Sequence, residues 1–169
     1  ILESPESRDW AQREKSKSLV VLSVAEGADN LLMWAHYAQQ HEGFVFGFDI
    51  EHPSLANRKD GMPRYCSNVT YARERPARAS LSDLSVEQFF ATKSDNWAYE
   101  QEWRLFDGVV HADSTSADGT VLLFNVSPNA VRQVIVGCRA AKSTEDAVRE
   151  VLKQPDYAHV RLERAVLDE

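Results

Sequence analysis

Few cysteines, few glycines and no long apolar run occur in this sequence, and each scarcity excludes a class of protein. Cys66 and Cys138 lack a CxxC partner, so we expect two free thiols rather than a zinc site or a disulfide framework. The seven glycines form no Rossmann or P-loop pattern, and there is no nucleophile elbow. These absences argue against the common nucleotide-binding loops and the common serine hydrolases.

Membrane and secretory classes are also disfavoured. No apolar stretch approaches the roughly 20 residues that span a bilayer, and the segment from Ile1 to Lys17 is too polar for a signal peptide. We therefore expect a cytoplasmic protein with no membrane partner. The net charge of −7 opposes broad attraction to nucleic acid, so a nucleic-acid partner is not favoured.

One segment runs against the acidic balance. Residues 58–78 carry six basic side chains against Asp60 and Glu74, which leaves a local charge of +4. Such an island can hold an anionic ligand, or it can be a solvated loop with tolerated charges. The loop interpretation is favoured because nothing in the sequence fixes the geometry of these side chains. The basic residues are Arg58, Lys59, Arg64, Arg73, Arg75 and Arg78.

The length and composition predict one α+β domain over residues 1–169. A chain of 169 residues is close to the usual size of a domain, and its 43% hydrophobic content is enough for a core. The expected architecture has mixed and antiparallel sheets with a few short helices. We predict strands at 19–24, 44–50, 69–72, 99–110, 120–126, 131–137 and 160–167, and helices at 31–40, at 86–93 and after Ser143.

The strand predicted at 99–110 carries the densest group of charges. Alternation along a strand places Glu100, Glu102 and Arg104 on one face, with neighbours separated by roughly 7 Å. Two carboxylates at that spacing can raise each other's pKa or clamp a polar ligand, and Arg104 can moderate their repulsion or bind an anion. The alternative is a solvent-facing strand on which Glu102 and Arg104 simply pair.

The helix predicted at 31–40 offers a second group of polar rings. Asp29 or Asn30 can cap it, and Gly43 can supply a left-handed residue that ends it. His36 and Tyr37 lie beside its apolar stripe, and His41 follows, so these residues either line a pocket or are partly buried core residues. His36 and His41 are five residues apart, which does not suit a metal site on one helical face.

These two segments resemble the motifs of a bacterial family called domain of unknown function 2971. The first is Leu32-Met33-Trp34-Ala35-His36-Tyr37 with His41 and Gly43, and the second runs from Thr92-Lys93-Ser94 to Trp97-Ala98-Tyr99-Glu100-Gln101-Glu102-Trp103-Arg104. The resemblance extends from about Ser18 onward. Members usually begin with a further upstream strand, so the resemblance implies that this sequence lacks an N-terminal segment.

A Glu-x-Glu at the start of a strand is also similar to the layout of ADP-ribosyltransferases. That resemblance implies a split sheet and NAD as a co-substrate, with no covalently bound cofactor. It gives Glu102 the role of orienting the ribose, with Glu100 assisting and Ser23 supporting the carboxylate, and it places His36 or Tyr37 at the nicotinamide. A carboxylate would suit the oxocarbenium character of the transition state.

Two functions are therefore carried forward. The first is an ADP-ribosyltransferase-like enzyme of a phage defence or toxin system, with Glu100, Glu102 and Arg104 as its active site. The second is a non-catalytic ligand-sensing or protein-interaction module in which His36, Tyr37, Trp97 and Arg104 hold the ligand. A nuclease is less favoured, because the acids form no metal-binding cluster beyond Glu100 and Glu102. The sequence makes no prediction about oligomeric state.

Overall fold

A computed structural model describes residues 19–74 and 90–167. Within them the strands, in chain order, are β1 (Leu19–Ala25), β2 (Phe44–Phe48), β3 (Tyr65–Asn68), β4 (Thr70–Ala72), β5 (Thr92–Ser94), β6 (Glu102–Gly108), β7 (Ser114–Thr115), β8 (Leu122–Leu123), β9 (Val131–Val136) and β10 (Arg161–Arg164). The α-helices are α1 (Leu31–Tyr37), α2 (Pro53–Ala56) and α3 (Lys142–Leu152), and short 3-10 helices cover Asp95–Glu100, Val109–His111, Pro128–Ala130 and Pro155–Tyr157. The α+β class is confirmed.

The described residues form two compact units, one from residues 19–26, 57–74 and 90–124 and the other from 27–56 and 125–167. In the first unit β6 lies between β1 and β3, and both pair with it in antiparallel fashion. Leu105 and Phe106 of β6 are buried. The parallel pair β4–β5 and the antiparallel pair β7–β8 complete the described part of this unit. The prediction of one domain stays a prediction.

In the second unit β9 is the central strand. It pairs antiparallel with β2 and parallel with β10, and α3 connects it to β10. Val134 and Val136 are buried on β9, as expected for the middle strand of a sheet with a helix crossover. The order of strand, helix and strand predicted for the C-terminal third is confirmed, but the helix begins at Lys142 rather than after Ser143, and the last strand covers only Arg161–Arg164.

The beginning of α1 was correctly predicted and its end was not. The side chain of Asn30, not Asp29, caps the helix by accepting hydrogen bonds from the amides of Leu32 (2.9 Å) and Met33 (3.3 Å). The helix ends at Tyr37 instead of 40, because residues 39–41 all take positive φ values of 51°, 54° and 70°. Gly43 is not left-handed. It approaches the Ala38 carbonyl, to which its amide donates at 3.0 Å.

Several other predicted boundaries were wrong. Residues 95–100 form a 3-10 helix, so the strand predicted at 99–110 begins at Glu102. The helix predicted at 86–93 is contradicted at Thr92 and Lys93, which belong to β5, and its residues 86–89 lie outside the described ranges. The strand predicted at 120–126 is reduced to Leu122–Leu123. β3 and α2 were missed because elements of four residues are too short to show a clear periodicity.

Across residues 19–74 and 90–167, every helix is too short or too polar to cross a membrane. The expected cytoplasmic location stays a prediction.

Candidate functional site

Glu102 lies at the first position of β6, at a sharp change in backbone direction. The preceding residue, Gln101, has a left-handed conformation with φ of 45°. Its carbonyl accepts a hydrogen bond from the amide of Glu26 at 3.1 Å, and the Tyr71 hydroxyl accepts one from the amide of Glu102 at 2.9 Å. The backbone on both sides of this turn is therefore fixed by Glu26, which follows β1, and by Tyr71 of β4.

The carboxylate of Glu102 has several donors. Arg104 binds both of its oxygens, with Nε 2.8 Å from Oε1 and Nη2 3.1 Å from Oε2. The Lys93 ammonium lies 3.3 Å from Oε2, and the Ser23 side chain also forms a hydrogen bond with this carboxylate. Only 7% of Glu102 is exposed to solvent. A forked guanidinium contact of this kind is among the stronger hydrogen-bonded ion pairs in proteins.

A second acid joins the same cluster. Glu100 is 3% exposed, and its Oε2 forms an ion pair with the Lys93 ammonium. Lys93 is placed there by β5, whose pairing with β4 aligns it with Tyr71. Arg104 further donates to the carbonyl of Phe90. We call Ser23, Lys93, Glu100, Glu102 and Arg104 the Glu102 network, in which two cations balance two anions.

These contacts set the charge states of the network. Burial raises the pKa of Glu102, but hydrogen bonds from Arg104 and Ser23, together with the charges of Arg104 and Lys93, outweigh it and lower the pKa to about 2. For Lys93 the directions are reversed: burial lowers the pKa, but the two carboxylates outweigh it and raise the pKa above its usual value. Glu102 is therefore ionised at any physiological pH, and Lys93 keeps its proton.

The 3-10 helix Asp95–Glu100 carries aromatic side chains beside the network. The Lys93 ammonium lies 5.0 Å from the centroid of the Trp97 ring, within the range of a cation–π contact. The rings of Trp97 and Tyr99 are 6.0 Å apart, and Trp97 is 41% exposed. Trp97 is thus a partly solvent-facing aromatic residue on a short helix whose last residue, Glu100, is buried in an ion pair.

The predicted trio of Glu100, Glu102 and Arg104 does come together, but strand pleating is not the cause. Glu100 precedes the strand, and the left-handed Gln101 between the two acids lets both carboxylates reach Lys93. Lys93 and Tyr71 were missed as site residues. Lys93 stands in the motif from Thr92 to Ser94, but its contribution depends on the pairing of β4 with β5, which joins segments that are distant in sequence.

The remaining predicted site residues belong to the second unit. His36 and Tyr37 are exposed, Tyr37 by 64%, and their rings lie 6.3 Å apart. His41 is half-buried and stacks on Trp34 with an interplanar angle of 11°, while the Trp34 indole donates to the Ala28 carbonyl at 2.6 Å. His41 therefore helps to pack the end of α1. The hypothesis that His36 or Tyr37 acts together with Glu102 stays a prediction.

The basic island has acidic partners wherever it is described. Each described cation forms an ion pair with an aspartate. The pairs are Arg58–Asp60 (3.1 Å), Lys59–Asp113 (3.5 Å), Arg64–Asp107 (2.9 Å) and Arg73–Asp95 (3.2 Å). Arg75 and Arg78 lie outside the described ranges. These pairs count against an anion-binding island, but the segment is not simply a solvated loop, because it contains β3 and β4 and its Arg64–Asp107 pair is largely buried.

The described part of the chain gives little support to a metal site or a reactive thiol. Within it, no group of three or more His, Cys, Asp or Glu side chains has a metal-binding arrangement. Cys66 and Cys138 are both free thiols, as predicted, and burial raises the pKa of the Cys66 thiol. A raised pKa disfavours the reactive thiolate.

Comparison with known proteins finds a family model that matches part of the chain, and it finds no activity. Residues 33–105 match the model of the family described as Protein of unknown function (DUF2971), which confirms the resemblance of the motifs around His36 and Glu102. The matched range is shorter than the resemblance from about Ser18 onward. No curated protein and no solved structure matches the chain significantly. The resemblance to ADP-ribosyltransferases gains no support from these comparisons.

Proposed function

We propose that this chain, part of which matches an uncharacterised family, is a non-catalytic recognition module and that the Glu102 network is its scaffold. The observation that carries the proposal is the saturation of Glu102. Arg104, Lys93 and Ser23 occupy the carboxylate, and only 7% of the residue is exposed. A side chain in that state supports neighbouring structure more readily than it reaches a substrate.

Catalysis by Glu102 would require a change in these contacts. A carboxylate that stabilises a transition state must touch the reacting atoms, and so it must give up at least part of the Arg104 fork. Removing one partner of a fully buried pair costs on the order of 3 to 5 kcal/mol, and the half-buried Arg104 guanidinium would bear part of that cost. The two cations and two anions of the network also balance, so it offers no surplus positive charge to the diphosphate of NAD.

What the network holds in place is the short helix that carries Trp97 and Tyr99. Lys93 anchors this helix twice, through the ion pair with Glu100 at its end and through the Trp97 ring. Arg73 and Asp95, paired at 3.2 Å, lie at its beginning. Exposed Trp, Tyr and Arg side chains are the types most enriched at the energetic centres of protein interfaces. The module is therefore expected to bind a peptide or protein at Trp97.

Selection from a random-peptide library tests recognition directly. The wild-type protein alone serves as the selection target, and the selected peptides are then assayed on Trp97→Ala and on Tyr37→Ala, a control in which another exposed aromatic residue is removed. We expect selected peptides to bind wild type and Tyr37→Ala alike and Trp97→Ala at least about tenfold more weakly. Peptides that bind all three proteins equally, or that depend on Tyr37 alone, would count against Trp97 as the recognition residue.

An ADP-ribosyltransferase-like activity is the second candidate, and the hydrogen bond between Ser23 and Glu102 favours it. The resemblance assigned Ser23 to the support of this carboxylate, and β1 does pair with β6 beside it. The carboxylate is also ionised, as stabilisation of an oxocarbenium ion would need. Under this candidate NAD would be the co-substrate and the setting a defence or toxin system.

A thermal-shift panel of nucleotides separates the two candidates. A ligand that binds only the folded state raises the melting temperature of the protein. The increase grows with the logarithm of the ligand concentration divided by Kd. Stabilisation by NAD, and not by adenosine diphosphate alone, would favour the enzyme. Indifference to every nucleotide agrees with a module that recognises a protein.

A further inference from the structure

A histidine lies between two carboxylates at the far end of β6. Asp107 is buried, and because it lies five residues beyond Glu102, an odd number of steps along the strand, it faces away from Glu102. Its Oδ1 is 2.5 Å from Nδ1 of His111 and accepts the amide of Gly108 at 2.8 Å, and its Oδ2 accepts from Nε of Arg64 at 2.9 Å. Asp107 is thus a fixed anion at one side of the imidazole.

The other side of the ring faces a surface turn. Nε2 of His111 is 3.7 Å from Oδ2 of Asp60. Asp60 belongs to the turn Arg58–Met62, which is closed by backbone bonds from Arg58 to the Met62 carbonyl at 2.8 Å and from Gly61 to the Arg58 carbonyl at 2.9 Å. Asp60 also accepts from the amide of Met62 at 3.0 Å. His111 therefore stands between the sheet and this turn.

Both acids keep their charge where histidines titrate. The hydrogen bond from the Met62 amide lowers the pKa of Asp60, burial opposes it, and the charge of Arg58 lowers it further. Burial raises the pKa of Asp107, but hydrogen bonds from His111, Gly108 and Arg64 bring it below its usual value. Of these groups, only the histidine belongs to a type whose unperturbed pKa, about 6.5, lies between pH 5 and 8.

We infer that His111 is a pH-dependent latch that fastens the turn Arg58–Met62 to the end of β6 when its ring is protonated. The imidazolium has a proton on each nitrogen, so it can donate to Asp107 and attract Asp60 at the same time. The neutral ring has one N–H, so one of the two carboxylates then faces a lone pair. Because the bond to Asp107 is the shorter and more buried one, the attachment to Asp60 is the one that is lost.

The charged groups around the latch come from three segments. Within the described ranges, the acids facing His111 are Asp107 from β6 and Asp60 from the turn. Arg64, which precedes β3, pairs with Asp107, and Arg58 pairs with Asp60. Lys59 of the turn pairs with Asp113, two residues after His111, at 3.5 Å. The Lys59–Asp113 pair joins the same two segments and involves no histidine, so the turn should loosen rather than detach at high pH.

Hydrogen exchange at the turn amides tests the latch. Protection factors at residues 58–62, each corrected for the intrinsic effect of pH, are compared at pH about 5.5 and about 8, on either side of the usual histidine range. We expect wild-type protection to fall by about fivefold at the higher pH, which is the size of a partly exposed ion pair. His36→Gln, which changes an exposed histidine of the other unit, should behave as wild type.

Two variants remove the latch in different ways. Asp60→Asn keeps an acceptor for the Met62 amide but removes the charge, and His111→Gln removes the imidazole ring. Both should make protection of the turn equal at the two pH values. Equal protection in the wild type, or a pH response that persists in Asp60→Asn, would overturn the inference. If His111→Gln does not fold, Asp60→Asn decides the question, because Asp60 lies on an exposed turn.

Discussion

Glu102 and Glu150 are both glutamates paired with a lysine, yet their surroundings give them different contributions to the stability of the fold. Glu150 is largely exposed and meets Lys153 at 2.6 Å along α3. Exposed pairs of this kind contribute roughly 0 to 1 kcal/mol, because solvent screens them and the side chains lose freedom. Glu102 is buried and meets two cations and a hydroxyl, so its loss leaves cations whose desolvation is no longer compensated.

Replacement of Glu102 by Gln should therefore destabilise the fold. The amide keeps the shape of the side chain but leaves Arg104 and Lys93 without one anion, and we expect the free energy of unfolding to fall by about 3 kcal/mol. Urea unfolding followed by tryptophan fluorescence measures this change. The matched control, Glu150→Gln, should change it by less than about 0.5 kcal/mol. Equal effects of the two substitutions would show that the network contributes no more than a surface pair.

The stabilisation by Glu102 should also depend on pH in a defined direction. Its pKa is about 2 in the folded chain and near 4.5 without the fold, so the folded state binds this proton more weakly. The contribution is complete above pH about 5 and is lost as the pH falls toward 2. The stability difference between wild type and Glu102→Gln should thus shrink between pH about 5 and about 3. A difference that grows on acidification would contradict the assignment.

At the scale of the elements, the cap of α1 gives a direct test of local structure. The helix is only seven residues long, so one satisfied pair of amides at its start is a large part of its stability. Asn30→Ala should lower the free energy of unfolding by about 1 kcal/mol. Asp29→Ala, which removes the neighbouring residue that can also act as a cap, should leave it nearly unchanged. A larger effect at Asp29 would mean that the cap lies one residue earlier.

A close backbone approach at the end of β9 gives a second test. A Cβ on Gly137 would lie 2.0 Å from the carbonyl oxygen of His41, and the Gly137 amide donates to Gly43 at 2.9 Å. Gly137→Ala must push these segments apart, and we expect a loss of about 3 kcal/mol in thermal or urea unfolding. Gly108→Ala is the control, because its added Cβ would meet neighbours no nearer than 3.5 Å. Similar stability of both variants would contradict this packing.

Elements with a strong local pattern were predictable from the sequence, and those made by distant partners were not. The apolar stripe of α3 and the strands around it emerged from periodicity alone. The 3-10 helix before Glu102 was not predictable, because Trp97, Tyr99 and Glu100 also fit the alternation of a strand. Only the left-handed conformation of Gln101, which the structure shows, marks the boundary between this helix and β6. The partnership of Lys93 with two glutamates needs the β4–β5 pairing, which no local window contains.

The whole chain is acidic, with a net charge of −7, and its basic residues are used locally. The described cations between residues 58 and 73 pair with acids, and Lys93 and Arg104 belong to a balanced network. A distribution of this kind does not attract a phosphorylated ligand from a distance. It agrees with a module that binds through an aromatic surface more than with an enzyme that captures NAD.

The most direct test of the account is a measurement of NAD turnover by the protein and by Glu102→Gln, at a temperature where both are folded. Nicotinamide release is followed by chromatography over a time long enough to detect slow hydrolysis. A scaffold role for Glu102 predicts that neither protein releases nicotinamide above the rate of NAD in buffer. Release by the wild type that disappears in the folded variant would make Glu102 a catalytic residue and the module an enzyme.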